Sequence, residues 1–186
     1  MIRVEEIAMH HTLRFYGRHQ HKFLRLYIAL AKLINIPVVG VLVRSVANTW
    51  GKRGHHGYLL SLEQAEQIID ISKSVALGPC NCRRVFRNCD APVMAEIVVG
   101  AGVETFSEIK PGELREISKE EAKGVLRTCH EARMMHTIMR CGRDFYAICN
   151  CCTCCCVPTR LRQHYGIEYA LVRNRDVVED FRRQQL

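Results

Sequence analysis

The stretch Cys149-Asn-Cys151-Cys152-Thr-Cys154-Cys155-Cys156 places six cysteines within eight positions of a chain that has eleven. Cysteines that only pack in a core are scattered among apolar residues, so packing does not explain this run. Adjacent cysteines cannot easily bridge each other, which argues against disulfides. A dense set of soft thiolate ligands indicates a metal centre.

The spacing of Cys149, Cys152 and Cys155 is C-x-x-C-x-x-C, which is the start of the cluster loop in bacterial ferredoxins. Two-residue gaps let the backbone wrap around one four-iron cubane and present three thiolates to three irons. Ferredoxins place a fourth cysteine after three further residues, whereas this chain has Thr159 there. The fourth ligand is therefore expected from another part of the chain.

A second group of cysteines consists of Cys80, Cys82 and Cys89, and Cys129 and Cys141 stand alone. The simplest assignment gives this second group to one cluster and the C-x-x-C-x-x-C cysteines to the other. Either Cys151 or Cys156 would cross over to complete the first cluster, as ligands do in two-cluster ferredoxins. Cys129 is expected in the core, and Cys141 is expected to replace the missing cluster ligand. The candidate metal ligands are Cys80, Cys82, Cys89, Cys141, Cys149, Cys151, Cys152, Cys154, Cys155 and Cys156.

Two other uses of these thiols remain open at this stage. A structural zinc ion needs four sulfurs in a tetrahedron, usually from two separated C-x-x-C knuckles, but the second group offers only C-x-C and one single cysteine. A metal-free thiol redox site is the other alternative. Ligand softness and spacing favour iron-sulfur clusters over both.

The chain has 186 residues, of which 48% are hydrophobic, and this excludes disorder, collagen and coiled coils. Eleven cysteines are too few for a small secreted disulfide scaffold. Glu5 and Glu6 stand where a leader would be positive, and the longest uncharged apolar stretch, residues 33–43, is too short for a bilayer span. A cytoplasmic protein is expected, or one peripheral to the inner face of the membrane.

Charge is unevenly distributed. Residues 7–62 contain eight Lys and Arg but no acidic residue. Apolar residues recur at helical spacing over residues 20–35, which predicts an amphipathic helix that Pro37 stops. This basic segment is either a packed helix with a solvated face or a docking element for an acidic redox partner, a larger redox complex or a membrane. No nucleic-acid motif accompanies it, so no nucleic-acid partner is expected.

Capping signals predict two further helices, over residues 62–74 behind Ser61 and over residues 119–135 behind Ser118. Residues 92–99 and 167–172 are predicted strands, residues 110–112 a turn, and residues 176–186 a polar helix or tail. The expected fold is a small, mainly helical α+β iron-sulfur protein with ferredoxin-like cluster loops. Residues 1–56 are expected to form a basic amphipathic segment and residues 57–186 the cluster-binding domain.

Several of these runs resemble a family of ferredoxin-like 4Fe-4S binding proteins from anaerobic bacteria and archaea. The resemblance covers most of the chain: Ile36-Pro37 with its apolar continuation, GYLLSLEQA at residues 57–65, ALGPCNCR at 76–83, SKEEA at 118–122 and, above all, ICNCCTCCC at 148–156. It implies 4Fe-4S clusters as the cofactor class and no particular reaction. Relatives carry another cysteine a few residues after the position of Cys89, whereas residues 91–97 of this chain contain none.

The expected function is electron transfer, with single electrons relayed between redox partners by a protein that is not itself an enzyme. One alternative is an iron-sulfur enzyme whose incompletely ligated cluster acts on a thiol or disulfide. The other alternative is a zinc-stabilised binding module.

Overall fold

The computed structural model describes residues 10–185, which form a seven-stranded sheet with helices on both faces. The helices are α1 (His11–Ala31), α2 (Val39–Arg53), α3 (Leu62–Ile71), α4 (Asn81–Phe86), α5 (Ala101–Ile109), α6 (Lys119–Glu131), α7 (Val157–Tyr165) and α8 (Val177–Gln185), with 3-10 turns at Lys32–Asn35 and Glu168–Ala170. The strands are β1 (His55–Leu60), β2 (Val75–Pro79), β3 (Met94–Val99), β4 (Arg115–Glu116), β5 (Met135–Cys141), β6 (Asp144–Cys151) and β7 (Leu171–Arg173).

The strand order is β4-β2-β3-β6-β5-β1-β7, and only the β1–β7 pair is parallel. Strands β2 and β6 lie on either side of β3 and are both antiparallel to it. They therefore run in the same direction, and their carboxyl ends meet at one edge of the sheet. This edge is where the cysteine-rich segments begin.

Alternating side chains of the central strands fill two cores. On β3, Ile97 and Val99 contribute to the core beneath α3, α6 and α8, whereas Val98 contributes to the core beneath α1 and α5. In the second core, α1 approaches α5 closely at Gly17. A Cβ at this position would lie 2.6 Å from the Ile109 side chain, so the approach depends on glycine. Burial on both faces is the reason why the central strands are so apolar.

The sequence anticipated several of these elements. Ser61 and Gln64 form the expected capping box at the start of α3, and the Ser118 side chain accepts a hydrogen bond from the Glu121 amide at the start of α6. Helical structure covers residues 20–35 and ends before Pro37, but α1 begins nine residues earlier than predicted. The expected strand at residues 92–99, the turn and the C-terminal helix are present as β3, residues 110–112 and α8. The strand expected at residues 167–172 is wrong over Glu168–Ala170, which form a 3-10 turn, and only its end belongs to β7. Residues 1–9 and 186 lie outside the described part.

The mixed α and β character is confirmed, but "mainly helical" understates the sheet. Five of its seven strands were not predicted. Strands β1, β2, β5 and β6 are largely buried and have no clear polar alternation, and β4 has only two residues, both exposed. The expected division between residues 56 and 57 falls inside β1, which pairs with β5 and β7. Among the described residues, no helix is both long enough and apolar enough to span a membrane.

Candidate metal centre

Nine of the eleven cysteines lie at the sheet edge where β2 and β6 end. Cys80 follows β2 and caps α4, which contains Cys82, and Cys89 lies in the loop that leads to β3. Strand β6 ends with Cys149 and Cys151, and the loop from there to α7 carries the remaining four, Cys152, Cys154, Cys155 and Cys156. Segments about 70 positions apart in the chain therefore supply one site.

Four of these thiols form a compact set that we call the outer thiol group: Cys89, Cys152, Cys154 and Cys155. Their Sγ atoms all lie within 4.8 Å of one another. Cys89 Sγ is 3.8 Å from the sulfurs of both Cys152 and Cys155. Asn88 fastens the two loops together, because its amide donates to Cys155 Sγ at 3.3 Å and its side chain donates to the Cys154 carbonyl at 2.9 Å. This group could hold a metal ion.

The other five thiols form an inner thiol group along the wall of a cavity: Cys80, Cys82, Cys149, Cys151 and Cys156. Cys156 lies near the Cys151 and Cys82 thiols, and Cys151 lies near Cys149. Cys152 of the outer group reaches the same cavity, so the two groups adjoin each other.

Arg83 is the cation that connects the two groups. Its side chain is 2% exposed, and its guanidinium donates to the carbonyls of Pro92 and Asn150. Burial lowers the pKa of Arg83, but the nearby Cys80 and Cys152 thiols outweigh this effect and raise it. A buried guanidinium among thiols favours their ionised forms, which are the forms that bind metal.

One thiol in each group ionises more easily than its neighbours. Burial opposes ionisation of Cys152, but hydrogen bonds from the Cys155 amide and from Cys154, Arg83 and Cys89 outweigh it and lower the pKa to about 7. Hydrogen bonds from Cys151 and Cys82 lower the pKa of Cys156 well below its ordinary value. Each group therefore contains a thiolate from which metal binding can start.

The donor chemistry and the spacing can be tested against metals. Every donor is a soft sulfur, which both zinc and iron-sulfur clusters bind well. Four sulfurs at about 2.3 Å from one tetrahedral ion stand about 3.8 Å apart, and three of the six pairs in the outer group are separated by 3.8 to 3.9 Å. A cubane needs wider spacing, because each thiolate binds a different iron. The inner group is more spread out and borders open space of about 510 Å³.

The grouping differs from the one that the spacing suggested. Cys89 lies with Cys152 and Cys155 instead of with Cys80 and Cys82. Cys149 is a strand residue whose backbone pairs with β3 and β5, so it does not join a loop with the cysteines that follow it.

The two single cysteines lie elsewhere. Cys129 is buried in α6, as expected for a core residue. Cys141, the substitute ligand of the sequence analysis, lies at the β5–β6 hairpin, at the opposite end of the strand pair from Cys151. An extended strand separates it from the thiol groups, and this geometry places it outside both.

Sequence reasoning missed three buried polar side chains near the site. Arg83 is 2% exposed, although arginines usually lie at the surface. Glu96 is 4% exposed beside the inner group, and burial raises its pKa to about 7. Asn150 joins the strands, since its side chain donates to the Ala95 carbonyl and contacts His136. Only the position of Asn150 inside the cysteine run was a signal.

Comparisons of the chain with protein-family models, with curated proteins and with solved structures find no match. The function proposed below is therefore argued from the geometry of the nine thiols.

Proposed function

We propose that this protein is an iron-sulfur electron-transfer protein, or the electron-transfer subunit of a redox complex, with one cluster in each thiol group. The observation that carries the proposal is the convergence of nine thiols, four in the outer group and five in the inner group, at one sheet edge. One structural zinc would use four thiols and leave five unexplained. Two cubanes use about eight.

The ligand assignment follows the two groups. The outer cluster would take Cys89, Cys152, Cys154 and Cys155, whose two loops would move apart to bind it, because their sulfurs lie closer together than the ligands of a cubane do. The inner cluster would take four of Cys80, Cys82, Cys149, Cys151 and Cys156. Thiolates would then occupy every iron, which suits a one-electron relay better than the binding of a substrate at an open iron. Arg83 would offset the negative charge of both clusters and favour their reduced states.

One observation favours a second candidate, a structural zinc ion in the outer group. Three of the six sulfur pairs are 3.8 to 3.9 Å apart, close to the separation of thiolates around one tetrahedral ion, and all six lie within 4.8 Å. In that case the outer site would stabilise the fold, and the inner group alone would carry redox chemistry.

Metal and sulfide analysis of protein purified without oxygen tests both candidates. We expect about eight irons and about eight acid-labile sulfides per chain. Substitution of Cys89 by serine removes an outer ligand and should lower both values by about four. The double variant Cys80→Ser/Cys82→Ser leaves three inner thiols and should do the same. Cys129→Ser is the matched control and should change neither. Stoichiometric zinc with no sulfide would reject the iron-sulfur proposal.

The same redox protein needs a docking surface, and we propose that α1 and α2 dock it on an anionic lipid surface. At the start of α2 and along it, apolar side chains recur every four residues as a solvent-facing stripe: Val38 at 85% exposed, Leu42 at 66%, Val46 at 61% and Trp50 at 57%. The exposed basic residues of this part of the chain include Lys22, Arg25 and Lys32, which precede α2, and Lys52 and Arg53, which end it. Apolar residues with a tryptophan, a basic rim and no acidic residue are typical of helices that lie in a lipid interface.

Co-sedimentation with vesicles tests the docking surface. The protein should bind vesicles that contain phosphatidylglycerol, and the binding should weaken as salt screens its charges. Leu42→Glu should reduce binding strongly, whereas Gln163→Glu, which makes the same change of charge at an exposed position of α7, should not. Binding only to an acidic protein partner, with no affinity for these vesicles, would contradict this surface assignment.

A further inference from the structure

The cavity beside the inner thiol group leads from the apolar stripe of α2 to the cysteines. Its volume is about 510 Å³, within the usual range for a small-molecule site. Leu42, Val46 and Trp50 line it and are also more than half exposed, so they form its mouth. Cys80, Cys149 and Cys156 line its inner end. A molecule that enters between α1 and α2 would therefore meet the proposed inner cluster.

The wall is apolar apart from a few polar groups, one of which has no partner. His55 Nδ1 is buried and makes no hydrogen bond to any residue in the described part of the chain. The Tyr146 hydroxyl lies 3.4 Å from Nε2 of the same ring. A hydroxyl that donates to Nε2 leaves the ring hydrogen on Nδ1, as a donor without an acceptor. Such a donor costs about 1–3 kcal/mol, and a carbonyl on a bound molecule would recover that energy.

We infer that this cavity binds a lipid-soluble quinone, which exchanges electrons with the cluster in the inner thiol group. A quinone matches each feature of the cavity. Its flat apolar ring fits the walls, a carbonyl can accept from His55, and its aliphatic tail can leave through Leu42 and Val46 towards lipid. Its two-electron chemistry matches two one-electron clusters. The redox half of this inference rests on the proposed function, whereas the binding half does not.

The reaction balances in electrons and protons. A quinone takes up one electron from each of two reduced clusters and two protons from water. Two O–H bonds form, the two carbonyls become hydroxyls, and each cluster is oxidised by one electron. A one-electron donor protein, for which dithionite substitutes in the assay, then reduces the clusters again.

Fluorescence of Trp50 measures binding directly, since it is the only tryptophan in the chain and it lines the mouth. Titration of the purified holoprotein, without vesicles, with decyl-benzoquinone should give saturable quenching at one site. Val46→Phe narrows the mouth and should weaken the apparent affinity at least tenfold. The matched control is Val41→Phe, on the same helix and 72% exposed but outside the cavity lining, and it should bind as the parent does.

The redox half is tested on anaerobic protein that has been reduced with dithionite and then desalted. Addition of the quinone should restore the absorbance of the oxidised clusters and yield one quinol for each pair of clusters. Quenching without saturation, or equal binding by the two phenylalanine variants, would overturn the site. Saturable binding to iron-loaded protein without quinol formation would overturn the quinone as redox partner. Protein without iron and sulfide that still binds the quinone would refute the proposed function but leave the site standing.

Discussion

Replacement of Arg83 by methionine tests the connection between the two thiol groups. The guanidinium is 2% exposed and donates from Nη1 to the Pro92 carbonyl and from Nη2 to the Asn150 carbonyl. Pro92 belongs to the loop that carries Cys89, and Asn150 lies between Cys149 and Cys151. Methionine has a similar length but no donor, so both carbonyls lose their charged partner.

The expected cost follows from these contacts. Two hydrogen bonds from a charged donor contribute about 3–6 kcal/mol together, and removal of the buried charge returns part of this as desolvation energy. We expect a net loss of about 3 kcal/mol in the free energy of unfolding. At a urea dependence of about 2 kcal/mol per molar, the unfolding midpoint should fall by about 1.5 M. Arg83→Lys keeps the charge but not the fork of donors, and it should lose about half as much.

Anaerobic urea unfolding, followed by circular dichroism, measures this effect, and the iron content of each variant shows whether the clusters survive. Arg87→Met is the matched control, because Arg87 lies four residues further along and is exposed. Its free energy of unfolding should change by less than about 0.5 kcal/mol. An Arg83→Met protein with the parent's midpoint and full iron content would refute the view that this cation holds the two groups together.

Three other predictions follow from single sites. Cys152→Ala should lose about four irons and destabilise the fold, because metal binding and folding are coupled, whereas Cys129→Ala should keep its iron; equal loss from both would contradict the ligand assignment. Burial, with a smaller contribution from His56, lowers the pKa of His55 to about 3, against about 6.5 in the unfolded chain. As the pH falls, the unfolded state therefore takes up the proton first. The free energy of unfolding should fall by at most about 1.4 kcal/mol per pH unit between pH values of about 6 and about 3. His55→Gln should reduce this slope when unfolding is measured over a series of acid pH values. Gly102→Ala would bring a Cβ to within 2.1 Å of the Tyr146 carbonyl and should cost about 1–3 kcal/mol in urea unfolding, whereas Gly124→Ala, with nothing within 4 Å in an exposed helix position, should be neutral or stabilising.

Local signals predicted local structure. The Ser61 capping box and the Ser118 cap were readable because each depends on residues three positions apart. The end of the first helical segment before Pro37 was readable because proline lacks an amide donor. Helix α2 was missed, since its exposed face is as apolar as a buried one and therefore has no polar pattern.

A thiol site that could hold metal was predictable from the sequence alone, because six cysteines in eight positions are typical of metal ligands. Which thiols lie together was not predictable, because it depends on the packing of distant segments. Cys89 meets Cys155, 66 residues away, because β2 and β6 flank β3 in the same direction and bring their carboxyl ends to one edge. The spacing of cysteines along the chain determines only which thiols of one loop can bind the same metal. The pairing of distant strands depends on burial of both faces of the sheet, which local spacing does not reveal.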